Sequence, residues 1–310
     1  MSTEAIEDTP EIRKARGAFF TPAPVCDFMA RWAVRSPEDR VLEPSCGEAD
    51  ILAAAARRLV TLGGTQPVRG HELHTESAGR ARQVLASTSY PGDIHVGDFL
   101  DVPATSEFSA VIGNPPYIRY QGFTGESRTR GLSAALAQGV RLSRLSSSWA
   151  PFVVHSVGFL RDGGRLALVL PAELLSSNYA GEVRDFLLRR FSSVNVIQFD
   201  GLVFPGVQTE ALLLLAEGTG GTDRVQFASS RGVEHLAEVE FNVTLTVHPG
   251  EKWTGAMVSP AAHASLSAAS CQGGFVPLSS WGRLNLGIVT GNNGYFTLTT
   301  HEVRGRGLER

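Results

Sequence analysis

Asn114-Pro115-Pro116-Tyr117 carries the groups best suited to chemistry on a planar amine. An amide oxygen beside a backbone carbonyl, here Asn114 and Pro115, can accept both protons of one exocyclic amino group. The Tyr117 ring can stack on the flat base or amide that bears that group. The preceding run Ser109-Ala110-Val111-Ile112-Gly113 is short and apolar and reads as a buried strand. Neither proline has an N–H to donate, so the ladder stops at Asn114 and the chain leaves extended. In an open α/β sheet, ligands sit at that carboxyl rim.

Other segments point to the same rim. Arg40-Val41-Leu42-Glu43-Pro44 reads as a strand, followed by the turn Ser45-Cys46-Gly47-Glu48-Ala49-Asp50 and an alanine-rich helix. Strand, small-residue turn and helix open a nucleotide-type fold, and such a turn lets the backbone approach a ligand closely. The turn lacks a full G-x-G-x-x-G, and its acids Glu48 and Asp50 would repel a pyrophosphate. A ligand with a cationic group, an amino acid or a sulfonium, fits better. Pro67 to Leu73 predicts a second strand, with Glu72 at its end in the position that grips ribose hydroxyls. A third strand, Ile94 to Leu100, brings Asp98 to accept from an adenine amino group and Phe99 to lie on its face. Four consecutive strand ends thus deliver Glu43, Glu72, Asp98 and Asn114 together.

The totals set limits. A chain of 310 residues with 43% apolar and 19% charged content can bury one large core and part of a second domain. No apolar run approaches the length of a membrane span. The start, Met1 to Asp8, is polar and acidic, unlike a secretory signal. Cys26, Cys46 and Cys271 are an odd set at no metal-like spacing, which implies a reducing, cytoplasmic setting and no metal. A net charge of −3 does not advertise a nucleic-acid binder. Local charge differs: Arg119 to Arg144 holds five arginines and one acid, Glu126, directly after the Asn-Pro-Pro-Tyr loop. That stretch reads as a phosphate-holding or solvated loop.

The rest of the chain extends the sheet. Thr21 before Pro22 predicts a helix N-cap, with helix from about Ala23 to Arg35. After an apolar helix from Trp149 come strands at Arg165–Leu170, Val194–Phe199 and Glu210–Ala216. The last two are joined without a helix and must be antiparallel. The expected fold is α/β: a Rossmann-like, seven-stranded mixed sheet with one antiparallel strand, plus a small β-rich C-terminal extension. The expected divisions are 1–220, a connecting extension at 221–280, and a new domain opening at 281–310.

The ordered set Phe20-Thr21-Pro22, Leu42-Glu43-Pro44-Ser45-Cys46-Gly47, Glu72, Asp98-Phe99, Asn114-Pro115-Pro116-Tyr117 and Phe204-Pro205 resembles the γ group of DNA adenine-N6 methyltransferases, the TaqI type. The likeness covers residues 17–217. It implies a class I methyltransferase that moves a methyl group from S-adenosylmethionine to adenine N6 within a restriction-modification or phage-defence system. It assigns Thr21, Glu43, Ser45, Cys46 and Gly47 to the methionine end of the cofactor and Glu72 to its ribose. Asp98, Phe99 and Pro116 fall to its adenine, with Asn114 beside them. Asn114 and the Pro115 carbonyl would receive the target amine. Tyr117 and Phe204 would stack on a flipped adenine, with Arg119 on the DNA. Ala49 and Asp50 stand where the family usually has glycine. The implied partners are double-stranded DNA and a separate recognition or restriction subunit, with residues 281–310 opening a truncated target recognition domain. The alternatives are a class I enzyme acting on glutamine or RNA, and a non-catalytic DNA-binding subunit.

Overall fold

A computed structural model describes residues 21–201 and 210–257, with short stretches between 262 and 307. The chain divides into two compact units, Met1–Val258 and Ser259–Arg310.

The first unit is built on a nine-stranded sheet in the order β3-β2-β1-β4-β5-β7-β6-β8-β9. The strands are β1 Val41–Glu43, β2 Val68–Glu72, β3 Gly92–Val96, β4 Phe108–Gly113, β5 Leu160–Pro171, β6 Ser193–Phe199, β7 Ala211–Glu217, β8 Arg224–Ser230 and β9 Val243–Thr246. The helices among the described residues of this unit are α1 Ala23–Ala33, α2 Asp50–Leu62, α3 Thr75–Ser87, α4 Gly125–Ala137, α5 Trp149–Val157, the short α6 Glu173–Ser176 and α7 Gly181–Arg190. β7 runs antiparallel to β5 and β6, and β9 antiparallel to β8. The expected count of seven strands with one reversed is corrected to nine with two reversed. β8 pairs parallel to β6 and β9 follows as a hairpin partner, so residues after 220 extend the sheet.

Alternation along the central strands explains why both faces are covered. Leu166, Leu168 and Leu170 enter one core cluster, and Ala167 and Val169 enter the other. Leu212 and Leu214 likewise oppose Leu213 and Leu215. A strand buried on both sides reads as a continuous apolar run, which is what these segments are. Helices α1 to α3 cover one face through Val25, Met29, Leu52, Leu59, Ala78 and Leu85. Helices α4, α5 and α7 cover the other through Ala134, Trp149, Val153 and Leu187.

Two local expectations change. The stretch 119–144 is not all loop, because α4 lies inside it. Its charged sequence Gly-Glu-Ser-Arg-Thr-Arg shows little apolar periodicity, and helix forms where Gly131, Ala134 and Ala135 are small enough to pack. A Cβ at Gly131 would stand 2.9 Å from Phe123 Cζ and 3.0 Å from Pro151 Cγ, so a larger residue would force these side chains to shift where α4 meets α5. The third strand ends at Val96, and Asp98 begins a 3-10 turn by accepting the Leu100 N–H at 3.0 Å.

In the second unit, Thr299 and Glu302 form a capping box that starts α8, Thr300–Gly305. The strand and turn expected at 286–296 lie outside the described residues. Among the described residues, no helix is long and apolar enough to cross a membrane, and no His/Cys/Asp/Glu group could hold a metal ion.

Candidate functional site

The Asn-Pro-Pro-Tyr loop leaves the carboxyl end of β4, whose six residues are all buried. Asn114 is half-buried, and its Nδ2 donates to Thr21 Oγ1 at 3.2 Å. This bond orients the amide, making Oδ1 its acceptor end. Ser45 Oγ donates to the Asn114 carbonyl at 3.5 Å. Pro115 is buried. Beyond it, Ser148 grips the loop three times. Its hydroxyl donates to the Pro116 carbonyl and accepts the Ile118 N–H at 2.8 Å, while its own N–H donates to the Ile118 carbonyl at 2.9 Å. Ser148 is 1% exposed at the start of α5. Tyr117 is half-buried with its ring against the core, and burial pushes its phenol well above the ordinary value. Its hydroxyl therefore stays protonated.

The acids gather at the ends of β1 and β2 and just past β3. Glu72 accepts the Gly47 N–H at 2.9 Å and the His74 N–H at 2.8 Å, bracing the β1–α2 turn against the next strand. Glu43, 2% exposed, accepts the Leu52 N–H at 2.9 Å and so caps the first turn of α2. Burial, opposed in part by that hydrogen bond, pushes its carboxyl well above the ordinary range, and Asp50 and Glu72 add to the rise. Asp98 also meets Arg130 of α4, Oδ2 to Nη1, at 3.2 Å.

This donor set fits a cationic cofactor. Carboxylates of Glu72 and Asp98 would repel a pyrophosphate and attract a sulfonium or ammonium. Gly47 has φ +53°, with nothing within 4 Å of where a Cβ would stand, so the turn offers open backbone. Leu73, directly after Glu72, is 57% exposed and offers an apolar surface for a flat ring.

Thr21, Glu43, Ser45, Gly47, Glu72, Asp98 and Asn114 are therefore tied to the strand ends or to the turns beside them. Other expectations change. Thr21 is not the N-cap of α1; Pro22 holds that position without a side-chain cap, and the Thr21 hydroxyl serves Asn114 instead. The Phe99 ring does not lie at the rim. It is 2% exposed and packs with centroids 4.9 Å from both His155 and Phe159, because the 3-10 turn rotates it into the core. Cys46 stays in the turn after β1, 5% exposed, and burial, with Glu43 and Glu72 nearby, pushes its thiol far up. Pro116 is half-buried in the loop itself, and Arg119 is exposed just beyond it. Phe204 lies outside the described residues.

Sequence reasoning missed Ser148, Leu73 and Arg130. Ser146-Ser147-Ser148 before an apolar run is an N-cap signal, and an apolar residue straight after a strand-end acid is itself a cue. Arg130 had no such cue, since its partner Asp98 is distant in sequence.

Residues 7–242 match the family model for N-6 DNA methylase, and residues 250–310 match the C-terminal domain of the type II methyltransferase M.Eco57I. The type II methyltransferase M.AccI of Acinetobacter calcoaceticus is 23% identical, over 95% of this chain and 55% of that protein. M.PaeR7I of Pseudomonas aeruginosa is 27% identical, over 68% of this chain and 42% of that protein. The chain thus spans about half the length of the curated relatives it matches. A solved class I S-adenosylmethionine-dependent methyltransferase of Listeria monocytogenes shares the fold, with TM-score 0.58 and 14% identity over 81% of this chain and 70% of that one. The nine-stranded sheet therefore contains a class I methyltransferase fold, and the chain belongs to the N-6 DNA methylase family.

Proposed function

We propose that this chain is the catalytic part of a γ-group DNA adenine-N6 methyltransferase, serving modification in a restriction-modification or phage-defence system. The observation that supports this most is Asn114 at the end of β4, its amide oriented by Thr21 and its carbonyl held by Ser45. S-adenosylmethionine, when bound, supplies an electrophilic methyl group on sulfur. Glu72 and Asp98 would bind its ribose and adenine, Leu73 would lie against the ring, and the Ser45–Gly47 turn with Glu43 would take the amino-acid end, while Thr21 orients Asn114. Pro116 would close the adenine side.

Asn114 Oδ1 and the Pro115 carbonyl accept the two protons of the target amine. The nitrogen lone pair, otherwise delocalised into the ring, is thereby localised for attack. The target atom lies inside a duplex, so the adenine must be flipped out, which costs a few kcal/mol. Stacking on Tyr117 and Phe204, about 1–3 kcal/mol each, offsets that. Arg119, Arg141 and Arg144, all exposed, hold phosphates without reading sequence. Sequence is read by a domain that opens within 281–310, or by a partner subunit.

The test is transfer of labelled methyl from the cofactor to a mixture of duplex DNA, tRNA and protein. The expected result is label at adenine N6 of DNA, lost in Asn114→Ala. Label in glutamine or RNA refutes the substrate, and no label with intact cofactor binding refutes catalysis by this chain.

A further inference from the structure

We propose that Leu145 is a wedge that enters the duplex where the target adenine leaves it. The proposal rests on the adenine-methylating reading above. Leu145 is 59% exposed, although its neighbours in sequence are anchored: Leu142 is 7%, Ser146 2%, Ser147 5% and Ser148 1% exposed. The turn that presents it is pinned. The Leu145 N–H donates to Ser143 Oγ at 3.1 Å, and the Ser146 N–H donates to the Ser143 carbonyl at 3.0 Å. A large apolar side chain is thus carried outward on a stiff support.

Its place is what gives it meaning. Ser148 follows three residues later and is the residue that grips Pro116 and Ile118 of the catalytic loop. Three residues span at most ~11 Å, so Leu145 stands within a few base-pair steps of the target. Arg141 and Arg144 precede it and are exposed, as are Arg119 and Tyr120 of the segment that Ser148 clamps. No acid occurs between residues 139 and 148. Exposed arginines next to it in sequence suit phosphate contacts, and a leucine beside them suits the apolar interior of the stack. Apolar side chains are known to enter base steps and unstack them. A gap vacated by a flipped base is such a site, and filling it holds the extruded state open.

The test uses single-turnover methyl transfer on two substrates, a paired duplex and one with the target adenine mismatched. Emission from 2-aminopurine at the target position is followed in parallel. Leu145→Ala is expected to slow transfer on the paired duplex by about tenfold and to lower the emission. The mismatch should restore its rate, Leu145→Met should stay near wild type, and the melting temperature should not change. An unaltered rate on the paired duplex overturns the wedge. Equal loss on both substrates, or a lowered melting temperature, also overturns it and makes Leu145 a packing residue covered by protein. A wild-type chain that methylates neither substrate refutes the functional reading and the wedge with it. An active wild type with an unaffected Leu145→Ala refutes the wedge alone.

Discussion

The Thr21–Asn114 bond separates two roles that the family resemblance merges. The resemblance assigns Thr21 to the cofactor, whereas the structure places its hydroxyl 3.2 Å from Asn114 Nδ2. Thr21→Val keeps the shape and removes the acceptor. Thr21 is 8% exposed, so the amide loses this acceptor in a poorly hydrated place. Loss of a neutral hydrogen bond is worth about 1 kcal/mol, and a buried donor left unsatisfied about 1–3 kcal/mol. The rate should therefore fall roughly 5- to 150-fold. Asn114→Ala removes the preorganised group itself, at about 3–4 kcal/mol, or roughly 100- to 1000-fold. Single-turnover rates at saturating cofactor give both numbers, and calorimetry gives the cofactor Kd. Thr21→Val should change the rate and leave Kd within about threefold, Thr21→Ser should recover most of the rate, and the double mutant should be no slower than Asn114→Ala. A Thr21→Val protein with normal rate and much weakened cofactor binding would refute the positioning role, and full additivity with Asn114→Ala would do the same.

Three further outcomes are expected. Glu72→Ala should weaken cofactor binding about tenfold or more by calorimetry, since it removes a charge-assisted acceptor and frees the Gly47 turn; an unchanged Kd sinks the ribose assignment. Asp39 is 1% exposed and meets Arg165 at 2.6 Å, so Asp39→Ala leaves a buried guanidinium uncompensated and should cost about 3–5 kcal/mol in urea unfolding. Burial alone would raise the Asp39 carboxyl, but the Arg35 N–H and Arg165 outweigh it and hold it below its ordinary 3.8; its stabilisation is present above that value and lost as pH falls through the folded one, and a wild type and mutant with parallel acid unfolding curves would contradict this. Glu43 behaves oppositely. Burial raises its folded value above 4.5, so stability falls as pH rises from there through the folded value, and Glu43→Gln, which can still accept the Leu52 N–H, should flatten that decline and be at least as stable at pH ~8.

Much of the site was readable because the chemistry and the chain breaks coincide. The two prolines after Gly113 end β4 by removing donors, whatever surrounds them. Acids at the ends of short apolar runs located Glu43 and Glu72, and β1 and β2 do end at those residues. The strand that carries Asp98 was read too long, since Gly97 at φ +156° and the Asp98–Leu100 bond end it in a way that periodicity does not register. Helix α4 was missed because its stability comes from small residues packing on α5 rather than from an apolar stripe of its own.

The amino-acid sequence by itself determined what could react and on which rim of a sheet it would stand. Residue types and breaks in the ladder are local properties. Tertiary structure alone decided which groups touch. Thr21 and Asn114 are 93 residues apart, and their bond exists only because α1 packs over β4. The clamp from Ser148 to Pro116 spans 32 residues and needs α5 to begin beside the loop. The Phe99 ring, read as a ligand surface, became core because a short turn rotated it inward. Hydrogen bonds between distant segments depend on how helices dock on the sheet, and docking follows the sum of many side-chain contacts that no single stretch encodes.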